Sequence, residues 1–274
     1  MPVSVHIVDQ LLDEDGFHRR KAQKDLPLDQ HPDRNAQFEI IAQLKLEYLA
    51  SANPMLSIDT KKRELLGTFY RAGRLLTTKP LRAYDHDFPS YADGVVIPHG
   101  LYDPRLNRGY LHLGTSHDTS DFACDCLEDW WWRFGKEQYP DAKSVLLLCD
   151  GGGSNSSDTY LFKAGLQRLV NKIGLGVRVA HYPPYTSKYN PIEHRLFCHV
   201  TRACQGMFFE NLTVVKQLME KTHTRTGLSV VVDVVEKVYE IGRKVAESVK
   251  EGLRLIRDRV LPKWNYCILP QDKR

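Results

Sequence analysis

The stretch Ser144-Val145-Leu146-Leu147-Leu148-Cys149 is an unbroken, mostly apolar run that ends in Asp150 and three glycines. A run this short, without polar alternation, reads as a strand buried on both faces. Such strands belong to sheets covered by helices on both sides. The flanking sequence fits this. Thr119–Lys136 has apolar residues at helical spacing, and "DTYLFKAGLQRLVNKIG" is a helix stopped by Gly174. "GVRVAHYPP" reads as a strand and "NPIEHRLFCHVTRAC" as a helix. Upstream, "MLSIDT", "DGVVIPHGLYD" and "RGYLHLGTS" read as three strands punctuated by Gly and Pro. From residue 55 the order is β-β-β-α-β-α-β-α, which predicts a mixed α/β sheet. Helical spacing also marks residues 3–12 and 36–50, and a polar loop spans Leu75 to Asp93. From Phe208 onward two apolar lines, Val238-Ile241-Val245-Val249 and Leu253-Ile256-Val260, predict a mainly helical region. It closes in "PKWNYCILP", a short strand or extended tail.

Several classes are excluded early. No apolar run approaches the roughly 20 residues of a membrane span, and the N-terminus lacks the pattern of a secretory signal. Six scattered cysteines in 274 residues form no disulfide framework. Cys198, His199 and Cys204 come nearest to a zinc site, but no second ligand pair completes them. Reduced thiols and a cytoplasmic location are expected. Net charge is +4, and its distribution is uneven: residues 174–274 hold 17 basic and 10 acidic side chains. A polyanion partner and a solvated helical surface both fit that excess.

The glycine-rich segment "DGGGSNSS" is a poor nucleotide loop. It lacks the Gly-Lys-Ser/Thr of a Walker loop, and Ser156 stands where a dinucleotide fingerprint needs its third glycine. Asp150, at the strand's end, would repel a phosphate. Two further acids sit at similar punctuation: Asp59 at the end of "MLSID" and Glu193 in the first turn after Asn190-Pro191. Strand ends and a helix start can converge in a mixed sheet. Three converging carboxylates repel one another, and hard divalent cations relieve that repulsion. Each acid also has a plain structural reading. Asp59 can start a turn, Asp150 can cap the glycine loop, and Asn190-Pro191-Ile192-Glu193 approximates a capping box. Asp118 reads as a cap for the helix that begins beside it at Thr119. Trp130-Trp131-Trp132 reads as core and rim packing, and His194 as a surface histidine.

Denser motifs decide between these readings. "SIDTKKRELLG", "GLYDPRLNRGYLHLGTSHDTSDFA", "YPDAKSVLLLCDGGGSN", "HYPPYTSKYNPIEHRLF", "TRTGLSVVV" and "WNYCILP" together resemble the ISAzo-type bacterial insertion-sequence transposases, from about Pro27 to Pro270. The resemblance implies an RNase H-like (ribonuclease H/retroviral integrase) DDE domain: a mixed five-stranded sheet flanked by helices, with a helical C-terminal extension. Residue by residue, it maps the catalytic, metal-binding acids onto Asp59, Asp150 and Glu193. It implies two Mg²⁺ (or Mn²⁺) ions, double-stranded DNA as partner (element ends and target), a homo-oligomer on DNA, no membrane, and a bacterial nucleoid-associated setting. Beside the acids, Gly151, Gly152 and Gly153 give clearance for a DNA backbone. Ser154, Asn155, Lys188, His194 and Arg195 are candidate DNA contacts.

Three divisions follow: residues 1–53 with a remnant of a helix-turn-helix DNA-binding region and a connecting helix, 54–205 as the catalytic domain, and 206–274 as a basic, mainly helical region. Residues 1–24 resemble only the tail of the family's helix-turn-helix, so a chain truncated at its N-terminus is expected. A catalytically inactive DNA-binding relic is the alternative. Near Glu193 the sequence departs from the family: Tyr185 stands where Gly is typical, Tyr189 where Trp is, and Pro191 where another residue is.

Overall fold

The computed structural model describes residues 4–20 and 31–271. Lys21–Lys24 of the helix-turn-helix resemblance and its family match from Pro27 to Gln30 lie outside the described residues. Two compact units divide the chain at Gln30. The first contains α1 (Val5–Glu14), whose N-terminus is capped by Ser4 Oγ accepting from Ile7 N at 3.3 Å.

The second unit runs in order through α2 (Arg34–Leu49), β1 (Met55–Thr60), β2 (Glu64–Leu66), β3 (Gly94–Asp103), β4 (Arg108–Gly114) and α3 (Ser120–Trp130). A π turn (Trp131–Gly135) leads into α4 (Lys136–Gln138), β5 (Ser144–Cys149), α5 (Tyr160–Ile173) and β6 (Gly176–His181). A second π turn (Glu193–Phe197) opens α6 (Cys198–Ala203), followed by α7 (Leu212–Glu220), β7 (Ser229–Val235), α8 (Glu247–Glu251), β8 (Leu255–Arg257) and β9 (Asn265–Ile268). The strand order is β7-β4-β3-β1-β5-β6-β9-β8, with β2 paired to β3. β1, β5 and β6 are parallel, whereas β3 is antiparallel to both β1 and β4.

The mixed sheet expected from the sequence is present, but the expected five strands are nine among the described residues. The expected mainly helical C-terminal region is corrected in part: besides α7 and α8 it supplies β7 and β8, while the short strand expected in "PKWNYCILP" is present as β9. The physical reason lies in Ser229–Val235, "SVVVDVV". Its β-branched side chains lose χ1 freedom in a helix and fit a pleated surface. The apolar lines read as helical do not face a core, since Val238, Ile241, Val249, Ile256 and Val260 are exposed. Strands at both sheet edges therefore come from the last quarter of the chain: β7 beside β4, and β9 with β8 beside β6.

Alternation along the central strands sorts side chains onto two faces. Leu56, Ile58, Leu147 and Cys149 join Phe122, Trp130, Phe162 and Leu166 of α3 and α5. Met55, Leu146 and Leu148 pack instead against Ile41 and Leu44 of α2. On that second face, farther along the sheet, Ile192, Leu196 and Phe197 pack with Val96, Leu111 and Leu113 of β3 and β4. Trp130 and Trp131 are buried and Trp132 is half exposed, the core and rim packing that the spacing predicts.

Two strand glycines set how closely the segment after Pro191 approaches the sheet. A Cβ on Gly100 would lie 2.6 Å from Phe197 Cε1 and 2.9 Å from Ile192 Cδ1, and one on Gly109 would meet Leu196. Gly100→Ala is therefore expected to destabilise the protein by about 1–3 kcal/mol through overpacking. Urea unfolding of the two proteins checks this, and equal midpoints would contradict the close approach.

Candidate active site

Asp59 and Asp150 are brought together by strand register. β1 and β5 pair in parallel, with Ile58 opposite Cys149, so each strand's next residue is its acid. Neighbouring strands lie about 4.8 Å apart. Period-two alternation puts Asp59 in phase with Ser57 and Met55, and Asp150 in phase with Leu148, so both carboxyls emerge on the α2 face. The backbone amide of Thr60 donates to Asp59 Oδ1 at 2.7 Å, and that of Gly152 donates to the Asp150 carboxylate.

Glu193 reaches the same place through a hydroxyl. Ser57, two residues before Asp59, is fully buried on that face. Its Oγ accepts from Ile192 N at 2.9 Å and donates to Asn190 Oδ1. Asn190 Nδ2 in turn donates to Ile58 O at 3.2 Å. The capping-box reading of Asn190 is thus corrected: its amide binds the strand, and the strand's serine satisfies an orphan N–H at the helix start. Glu193 then begins the π turn, closed by Cys198 N donating to Glu193 O. Such turns recur at functional sites.

The electrostatics follow from this crowding. Burial, then the neighbouring Asp150, and then Glu193 push the Asp59 carboxyl up to about 8, against the opposing Thr60 amide. Glu193 also shares a hydrogen bond with Asp59. Asp150 is raised by burial, with Glu193 and Asp118 adding to it and the Gly152 amide opposing. Among the described residues no group of three His, Cys, Asp or Glu side chains is by itself arranged to hold a metal ion. The donors that do converge are carboxylate oxygens around a partly buried, proton-holding Asp59. That chemistry fits Mg²⁺ or Mn²⁺, which keep waters and take substrate oxygens rather than needing an all-protein cage.

Two buried histidines, absent from the sequence reading, support the acid-bearing strand ends. His181 Nδ1 lies 3.0 Å from Asp150 O, a carbonyl that can only accept, so Nδ1 carries the proton. Its Nε2 then accepts from the Tyr266 hydroxyl of β9, 3.1 Å away. Burial lowers its pKa to about 4, which keeps it neutral. His99 of β3 is also fully buried, and burial lowers its pKa to about 3; it contacts Thr60 Oγ1 through Nδ1 at 2.9 Å. His99 lies just outside the motifs of the family resemblance, and His181 opens one of them, "HYPPYTSKYNPIEHRLF", without a role of its own there. The available signal was a histidine within a strand pattern, at His99 in the otherwise apolar "VVIPHGLY" and at His181 in "VRVAHY", which also carries Arg178.

The remaining candidates divide. Gly152 and Gly153 are exposed, and a Cβ on either would meet open space. Gly151 is partly buried. Lys188, His194 and Arg195 are exposed around the Glu193 segment. Ser154 is partly buried, its carbonyl accepting from Ser120 Oγ at 2.7 Å. Asn155 is corrected: it is 2% exposed, with its Oδ1 buried and without a hydrogen-bond partner, so it is not presented to a DNA backbone. Asp118 is corrected too. Thr119 caps α3 by accepting from Phe122 N, while Asp118 accepts from Thr60 Oγ1 at 3.1 Å. Tyr185 has φ of 61°, a left-handed conformation that favours the glycine typical of the family at this position.

The family described as the Rhodopirellula transposase DDE domain matches residues 1–270. No curated protein matches the sequence. Among solved structures, the Mos1 transposase paired-end complex with left transposon end is similar at 14% identity and a TM-score of 0.52, covering 80% of this chain and 62% of that one. The Mos1 mariner paired-end complex with Mn is similar at 14% identity and a TM-score of 0.51, covering 80% and 63%. The Mos1 strand transfer complex gives 14% identity and a TM-score of 0.51, covering 80% and 62%. The chain thus spans about three-fifths of the length of these transposases, and at this identity the likeness shows a shared RNase H-like fold. With the family match running over nearly all of its length, the chain belongs to the transposase DDE domain family.

Proposed function

We propose that this protein is a DDE transposase of a bacterial insertion sequence, cutting and rejoining phosphodiester bonds in double-stranded DNA, with Asp59, Asp150 and Glu193 as its catalytic acids. The observation that carries this reading is the β1–β5 register, which sets Asp59 and Asp150 side by side, with Ser57 tying the Glu193 segment to the same face. In the proposed reaction water attacks a phosphodiester at the element end and frees a 3′-hydroxyl. That hydroxyl then attacks a phosphodiester in target DNA, displacing another 3′-oxygen, so the number of phosphodiester bonds is conserved in the transfer step.

The three acids would hold two Mg²⁺ or Mn²⁺ ions, which stabilise the entering and leaving oxygens of an in-line displacement. The chain's own contribution is placement. Thr60 N fixes one oxygen of Asp59, Gly152 N holds Asp150, and His181 holds the carbonyl of Asp150. The exposed glycines Gly152 and Gly153 leave room for a backbone phosphate, and Lys188, His194 and Arg195 offer sequence-independent contacts to it. Paired-end complexes among the similar structures support a homo-oligomer acting on two DNA ends. DNA as substrate favours a cytoplasmic, nucleoid-associated location, and among the described residues no helix is long and apolar enough to cross a membrane.

Asp150→Asn is expected to lower cleavage of oligonucleotides carrying the element ends by more than about 100-fold in Mn²⁺, the scale for losing one electrostatic contributor to a transition state. Equal cleavage by the variant and wild type would overturn the assignment. A pH dependence follows from Asp59. Its folded pKa of about 8 lies above the ordinary 3.8, so the folded protein holds a proton that the unfolded chain has released. Metal-free stability should therefore fall as pH rises from about 4 to about 8, and Asp59→Asn should flatten that fall. Melting curves across this range check it. Mn²⁺ affinity should rise over the upper part of the same range, because binding displaces the proton; calorimetric titration at pH 6 and pH 8 reads this directly.

A further inference from the structure

Asp118 lies outside the three acids, on the connection between β4 and α3, yet touches the segments that deliver two of them, Asp59 and Asp150. Its Oδ1 accepts from Thr60 Oγ1 at 3.1 Å, and Thr60 is the residue whose amide holds Asp59. The same carboxyl is hydrogen-bonded by the Ser154 side chain, at the far end of the glycine loop that begins at Asp150. Ser120, two residues on, holds the Ser154 carbonyl at 2.7 Å, so the start of α3 grips this loop at two points. Asp118 is also close enough to Asp150 to raise its pKa.

The direction of these bonds is fixed by counting protons. Thr60 Oγ1 has a single hydrogen, which it gives to Asp118. It must then accept from His99, so Nδ1–H of His99 is the donor at 2.9 Å. The buried, neutral His99 has no second hydrogen to give, and its Nε2 is buried without a partner. The chain of bonds therefore runs one way, from the core of β3 through Thr60 to Asp118 at the surface. A hydroxyl bonded on both sides has a fixed rotamer, and the Thr60 backbone that positions Asp59 is fixed with it.

We propose that Asp118 is a positioning residue of the acid site: through Thr60 and Ser154 it locks the end of β1 and the glycine loop in register, so that Asp59 and Asp150 are held at the separation a metal pair needs. This rests on the function proposed above. The role is that of an outer-shell partner, whose loss typically costs 10–100-fold in metal affinity or activity. It is a role for a residue at the mouth of the site, so its substitution leaves the core packing intact.

The test uses the full chain with Mn²⁺ as probe. Binding is followed by the loss of the free-ion paramagnetic resonance signal, and cleavage by nicking of oligonucleotides carrying the element ends. Asp118→Ala and Thr60→Val should each weaken Mn²⁺ binding about 10-fold and lower kcat with little change in KM for DNA. Thr60→Ser, which keeps the hydroxyl, should remain within about 3-fold of wild type. The double variant should be no weaker than the weaker single, because both substitutions break the same Thr60–Asp118 link. Wild-type binding and turnover in Asp118→Ala and Thr60→Val, with Asp150→Asn defective in both, would overturn the positioning role and leave the function standing. Additive losses in the double variant would also overturn it. Asp150→Asn behaving as wild type, or a wild type that neither binds Mn²⁺ nor nicks DNA, would overturn the function and the positioning role together.

Discussion

One serine hydroxyl carries much of this architecture. Ser57 sits on the central strand with its single proton committed to Asn190 and its lone pair to Ile192 N. In the dry interface between sheet and helix neither group has water as a substitute, and a buried polar group without its partner costs about 1–3 kcal/mol. The helix start therefore has one low-energy seat on β1. Because side chains alternate along a strand, the residue two positions after Ser57 is delivered beneath that helix, and this residue is Asp59. The third acid is placed by a cap borrowed from the strand that carries the first.

Much of this was readable in the sequence. The apolar run before Asp150 announced a strand buried on both faces, and Gly174 marked the helix stop, where the residue adopts φ of 75°. The three acids could be named from the family's motifs because those motifs are local. What escaped was non-local. "SVVVDVV" has the β-branched residues of a strand, but its partner is the edge of β4, which no periodicity of its own reveals. Asn155 stands among small polar residues and reads as a surface contact, yet packing buries it. His99 and His181 act through partners 39 and 85 residues away, distances that no local pattern spans.

Charge and packing also work against each other at the site. The carboxyls are placed close together by backbone register, which the sheet enforces regardless of their repulsion. The protein meets this by keeping a proton on Asp59 rather than by moving the strands apart. On the proposed function, a divalent cation would take that proton's place among carboxyls that the strand register has already brought together.

The placement of β9 has a consequence for assembly during synthesis. Tyr266, whose hydroxyl supports His181 and through it the carbonyl of Asp150, is made after every other element described. The central strands can pair early, but the edge strand that seals β6 arrives last. A ribosome-bound chain thus carries its acids before it carries the prop beneath one of them. The interval between those two events separates a folded sheet from a finished site, and it is written into strand order alone.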